Sequence, residues 1–262
     1  MAWRFDEVND DVQITDNAIL TLPDADWTLG GWLKLTDNVG TLFQYFLSWG
    51  AFSAANSLNW FIIEESAGAG TDDELRLVIE DGEETNIQLT GTSNPFLNNT
   101  DWTHLLLRRS GTTVTQYINA VADGAENSIN FSAVNSASPL FFGSREDGNV
   151  DRFYGGYMAE WFKVDRALSA NEITALANRA NPSRVEGDNK WYCPMFSGDY
   201  TEYRNGLTVT NSGSIAADHP PLQPPFGFAS GWQGAFTTPA AGGLSIPVAM
   251  NQYRRQYSNP WA

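Results

Sequence analysis

Three groups of side chains have the residue types and spacing to do chemistry. The first is a set of acidic runs, Glu64-Glu65, Asp72-Asp73-Glu74 and Glu80-Asp81. Glycoside hydrolysis needs two carboxylates set across one bond, and these runs sit instead among turn-forming residues, where solvated acids are the expected reading. A Ser/His/Asp hydrolase has as little support, because the two histidines, His104 and His219, lie in no recognisable nucleophile context. No catalytic residue is assigned. The second group is Asp147, Asn149 and Asp151, three oxygen ligands at alternate positions, which suits a hard cation such as calcium and equally suits a solvated turn. Arg152 stands at the sixth position, where an EF-hand requires glycine, and Asp10-Asp11 is a weaker second site for a cation. The third group is aromatic. Tyr45, Trp49 and Trp60, with the Asn56 amide, can present ring faces and a polar group to a sugar, although ten tryptophans also describe a large aromatic core. Nothing in the sequence requires a cofactor; calcium is the single candidate.

These residues must be held by the elements around them. The stretch from Phe153 to Pro182 carries the sharpest local signals. Tyr157 to Val164 is an aromatic and aliphatic run suited to a strand, preceded by Gly155-Gly156. Ser169 and Glu172 have the spacing of a capping box, with Leu168 and Ile173 at the staple positions, and Pro182 stops the helix they begin. Glu160, amid apolar neighbours, reads as a strand acid hydrogen-bonded inside the domain. Elsewhere the pattern is of short strands: Ala2 to Ile14, Trp27 to Leu35, Thr41 to Trp49, Leu58 to Glu64, Leu75 to Glu80 and Asn86 to Thr90. Trp102 to Arg109 and Thr113 to Ile118 make a hairpin through Ser110-Gly111-Thr112, Leu140 to Gly143 follows, and Lys190 to Phe196 and Leu207 to Thr210 come after the helix. Many strands and one capped helix predict an all-β fold, an antiparallel jelly-roll β-sandwich with one short helix and an extended C-terminal arm.

Charge divides the chain in two. Residues 1–218 hold all 31 acidic residues against 13 basic ones, a net −18, whereas 219–262 hold only Arg254 and Arg255. The overall charge of −16 repels phosphates and argues against nucleic acid as a partner. The lone Cys193 excludes an intrachain disulfide framework, no apolar run approaches the roughly 20 residues of a membrane span, and MAWRFDEVNDDV lacks the marks of a signal peptide. The sequence therefore predicts a sandwich domain over 1–218 and an arm over 219–262. Consecutive prolines at 220–221 and 224–225 make the arm's start extended. Phe226, Phe228, Trp232, Phe236, Tyr253, Tyr257 and Trp261, with Arg254 and Arg255, give it a docking composition rather than that of a free linker. It docks in an assembly or folds back on its own domain.

The order FDEVNDDVQI, WTLGGWLKL, WTHLLLRRSGTTVTQYINA, PLFFGS and FYGGYMAEWFKVDRALSANEITAL resembles the laminin G-like, concanavalin A-like lectin/glucanase superfamily over about residues 3–180. The sharpest piece is Arg166-Ala167-Leu168-Ser169 with Glu172-Ile173. Two departures stand out: Asn119-Ala120, where the family usually has Asn-Gly, which predicts a different hairpin turn, and Ala159, where an acid commonly precedes the residue matched by Glu160. The resemblance implies a laminin G-like sandwich whose functions range over glycan binding, adhesion, virion structure and glycoside hydrolysis, with calcium often held at the sandwich rim. The glucanases' E-x-D-x-x-E strand is missing from this sequence. The stretch WYCPMFSGDYTEYRNGLTVT is also similar to phage structural modules. Together these imply a non-enzymatic bacteriophage virion protein, a capsid decoration or tail component made in the host cytoplasm. Its partners would be other virion proteins and copies of itself, with a glycan-binding adhesion module as the alternative.

Overall fold

The computed structural model describes residues 2–36, 43–51, 55–63, 74–81, 86–91, 93, 95–96, 101–126, 132–146, 152–195, 202, 204–217 and 220. The chain divides into two units, Met1–Gln223 and Pro224–Ala262, and the second lies outside the described residues.

Fifteen strands are described. They are β1 (Ala2–Asp6), β2 (Asp11–Ile14), β3 (Trp27–Leu35), β4 (Phe43–Trp49), β5 (Ser57–Ile63), β6 (Glu74–Glu80), β7 (Asn86–Thr90), β8 (Thr103–Ser110), β9 (Thr113–Ile118), β10 (Val121–Glu126), β11 (Leu140–Phe142), β12 (Gly155–Val164), β13 (Trp191–Cys193), β14 (Val209–Ser212) and β15 (Ile215–Ala217). One α-helix, α1 (Ala170–Ala177), follows β12. The first sheet runs β10-β9-β8-β3-β12-β1-β15, with β13 also pairing to β12; the second runs β14-β2-β11-β4-β5-β6-β7. Every pairing between these strands is antiparallel, the expected sandwich.

Period-two alternation decides which side chains fill the space between the sheets. On β3, Trp27, Leu29, Leu33 and Leu35 join the main core, and Gly31 sits in the same series. A Cβ at Gly31 would come within 2.5 Å of the Trp161 ring, so glycine is what lets that indole lie flat across the strand. Trp161 meets Trp60 edge to face at 6.1 Å and 90°, joining the two sheets through aromatic contact.

The acidic start of the chain is a corner rather than one strand. β1 belongs to the first sheet and β2 to the second, where Ala2 to Ile14 had been expected to run on. Asp6 accepts from the Val8 and Asn9 amides at 2.9 and 3.3 Å, Asp10 accepts from the Asp6 amide at 2.9 Å, and Glu7 takes a left-handed φ of 67°. Short polar side chains replace ladder bonds there, which lets the chain change sheets. The carboxylates of Asp10 and Asp11 are thereby used within the fold, the latter accepting from Gln13 Nε2 at 3.0 Å.

The helix forms as its cap predicts. Ser169 and Glu172 make the reciprocal capping box, and Leu168, Ile173 and Leu176 pack on Leu106, Phe162 and Val164 of the first sheet's outer face. Arg166 grips Glu172 with two bonds, 3.0 and 2.5 Å, and this guanidinium is the main reason the carboxyl titrates at about 2 rather than 4.5. The hairpin at Asn119-Ala120 corrects an expectation. Both residues are left-handed, φ 49° and 69°, the conformation that Asn-Gly adopts, so the turn is kept and Ala120 carries the strain. Two strands, β10 and β15, lie where the sequence showed no clear alternation.

Candidate functional site

An open polar basin lies on the outer face of the first sheet, beside the half that α1 covers. Register puts Ile215, Arg4, Tyr157 and Lys34 in one row across β15, β1, β12 and β3. The next row has alanines at 217, 2 and 159, followed by Trp32 and His104. Small side chains there lower the floor, and Trp102, just before β8, leans over it against Ala2, Trp32 and Ala159. The result is a basin of about 310 Å³ lined by Arg4, Lys34, Trp102, Tyr157 and the three residues of β15.

Its electrostatics differ from those of the chain as a whole. The Lys34 ammonium stands 5.5 Å from the Tyr157 ring centroid, and Tyr157 and Trp102 lie 6.2 Å apart at 57°. Among the described residues neither Arg4 nor Lys34 is paired with a carboxylate. The next outward acid on β1, Asp6, has its carboxylate turned to the corner amides of Val8 and Asn9. Arg4 is exposed, while Lys34, Trp102 and Tyr157 are half-buried. Such a surface can hold a flat, polar ligand: rings for an apolar face, cations for oxygen.

Beneath the basin, His104 is fully buried, edge-on to Trp32 at 5.1 Å, and burial lowers its pKa to about 3. The imidazole is neutral packing, with no route to a substrate. Glu160 is equally internal, as expected. Its carboxylate accepts from the Tyr192 hydroxyl, whose pKa is pushed up first by burial and then by the Glu160 charge. Glu160 sits in the bulge between Ala159 and Phe162 with a φ of 59°. Asp81 corrects the solvated-turn reading of its acidic run. It is fully buried, and its carboxylate accepts from the Ser132 amide at 2.7 Å, tying two loops together. Among the described residues no cluster of three His, Cys, Asp or Glu side chains is arranged to hold a metal.

The aromatic group expected to face a sugar is turned inward. Trp60 is wholly buried and donates Nε1 to Gln116 Oε1 at 2.9 Å, and Trp49 is 2% exposed and donates to the Ser138 carbonyl at 2.8 Å. The cause is a bulge in β4 between Tyr45 and Leu47, which sends Phe46 and Leu47 both into the core and sets the parity of Trp49 inward. Tyr45 points to the opposite face, where it is also buried, stacked on Phe61 at 4.5 Å with Arg145 5.6 Å from its ring. Asn56 is half-buried, with its side-chain oxygen taken by the Asn135 amide at 3.3 Å. These four do not converge on a surface. Asp147, Asn149 and Asp151, and the arm residues Phe226, Phe228, Trp232, Phe236, Tyr253, Arg254, Arg255, Tyr257 and Trp261, lie outside the described residues.

The basin escaped sequence reasoning although its signal was present. Arg4 stands between Trp3 and Phe5, Lys34 between Leu33 and Leu35, and Tyr157 between Gly156 and Met158. Each is the outward member of an alternating strand. What the sequence does not print is that β1, β12 and β3 are neighbours.

Residues 6–174 match the concanavalin A-like lectin/glucanases superfamily. No curated protein matches the chain. Among solved structures, a heptameric SAP-like pentraxin from Limulus polyphemus superposes with a TM-score of 0.53 at 14% identity, covering 82% of this chain and 94% of the pentraxin. A candidate carbohydrate-binding protein from Bacteroides ovatus reaches a TM-score of 0.61 at 13% identity, covering 85% of this chain and 61% of that one. At such identities the likeness is one of fold.

Proposed function

We infer that the chain, which belongs to the concanavalin A-like lectin/glucanases superfamily, is a non-enzymatic glycan-binding module whose sugar sits in the basin of Arg4, Lys34, Trp102 and Tyr157. The observation that carries this reading is the basin itself, in which two tilted rings meet two cations that form no ion pair among the described residues. Ring faces cover the apolar side of a pyranose and donors take its hydroxyls. The Bacteroides ovatus neighbour, a candidate carbohydrate binder on the same fold, supports it. Trp102→Ala is the test. It removes the overhanging ring from a half-buried position, so binding on a glycan array or by calorimetry falls about tenfold or more while the fold persists. Undiminished binding by the variant would move the site elsewhere, and a wild-type protein that holds no sugar would end the reading.

A second reading, resting on the composition of 219–262, makes this module a virion component, in capsid or tail, docked by its arm. Seven prolines and seven aromatics with no acid over 220–262 favour it. A chain ending at 218 would then lose self-association or incorporation into particles and keep sugar binding. Unchanged assembly by the shortened chain would sink it.

A further inference from the structure

We propose that the basin selects an acidic sugar, one bearing a carboxylate or a sulfate, and that Arg4 and Lys34 are its specificity-determining residues. This rests on the glycan-binding reading above and adds the charge of the ligand. A protein of net charge −16 repels anions at long range, so an anionic ligand is held only where cations are concentrated and unneutralised. The chain has 15 basic residues against 31 acidic ones, and the pairs Arg109–Asp24, Lys163–Asp165 and Arg166–Glu172 consume three of the bases. Among the described residues Arg4 and Lys34 form no such ion pair, and of the two only Arg4 feels a nearby acid, Asp10, through space; they stand on strands either side of β12.

Their spacing suits one sugar residue. Two strand separations put the backbones of Arg4 and Lys34 about 9.6 Å apart, with Tyr157 between them. The 310 Å³ basin is at the small end of ligand pockets, which run from about 300 to 1,000 Å³. One ring lying against Trp102 therefore presents its anionic group to one cation and its hydroxyls to the other. Arg4, exposed, offers the planar fork that matches a carboxylate or sulfate edge. Lys34, steadied over the Tyr157 ring, is a point charge already in place. A neutral sugar would leave both charges without a counterpart.

The experiment uses the full chain on an array in which uronic-acid, sialic-acid and sulfated oligosaccharides each stand beside an uncharged counterpart. The expected result is a preference of about tenfold or more for the acidic member of at least one pair, weakened by added salt. Arg4→Gln and Lys34→Gln each reduce binding to the acidic member toward that of its neutral partner, whereas Trp102→Ala reduces both. The array's arms tell a carboxylate from a sulfate directly. Equal binding of acidic and neutral members, or an acidic preference that survives both glutamine substitutions, overturns this inference and leaves the glycan reading standing. If no sugar of either kind binds, both fall.

Discussion

Trp60 separates a core role from a ligand-contact role by measurement, and Trp60→Phe is the perturbation to use. The indole is fully buried, donates to Gln116 Oε1 at 2.9 Å, and meets Trp161 at 6.1 Å. Phenylalanine keeps an aromatic ring and loses the donor. An acceptor left unsatisfied in the core costs about 1–3 kcal/mol. The smaller ring leaves roughly 40 Å³ to be refilled, worth about 1 kcal/mol at ~24 cal/mol per Å³. The total is about 2–4 kcal/mol, which in a domain of this size lowers the melting temperature by roughly 5–15 °C. Near-UV circular dichroism follows the melt, and sugar binding is measured separately well below it. The reasoning holds if stability falls and the affinity of the folded variant stays within about twofold of wild type. It is refuted if affinity drops by about tenfold with the melt moved by less than about 1 °C, because a sugar would then be touching the residue assigned to the core.

The fold was legible where chemistry is local. Ser169, Glu172, Leu168 and Ile173 announce the helix because capping and stapling act within five residues, and all four take the expected places. The alternation of β3 and the turn at Ser110-Gly111-Thr112 are local in the same way. Position across the sheet was not legible. Tyr45, Trp49 and Trp60 were grouped as one face, yet one bulged residue in β4 reverses parity and divides them between two faces. A bulge has no side-chain signature here, since Phe46 is as apolar as its neighbours. The basin was hidden for a related reason. Arg4, Lys34 and Tyr157 are separated by up to 153 positions in the chain and become adjacent only through pairing of β1, β12 and β3. Asp10 reads in the sequence as a cation ligand and Asp81 as a solvated acid, whereas the carboxylate of each accepts from a backbone amide, Asp6 and Ser132 respectively.

Two further predictions concern stability. Ala120→Gly relieves a left-handed φ of 69°, and the melt should rise by the equivalent of about 0.5–1 kcal/mol, net of the greater freedom of glycine in the unfolded chain; a fall would show that the Ala120 methyl's packing outweighs the strain. Glu172→Gln keeps a side chain able to complete the capping box and removes the charge that Arg166 grips. The Glu172 carboxyl titrates at about 2 in the folded chain against 4.5 ordinarily, so the charged pair stabilises the fold above pH 4.5 and its contribution is lost as pH falls toward 2. Because both partners are about one-third exposed, at 32% and 38%, solvent screens the pair and its value is below about 1 kcal/mol. The variant should melt about 1–3 °C below wild type at pH 7, with the gap closing between pH 4.5 and 2 and narrowing in high salt. A gap that persists unchanged at pH 2 would mean that glutamine disturbs the helix start by shape, and that the Arg166 pair contributes nothing through its charge.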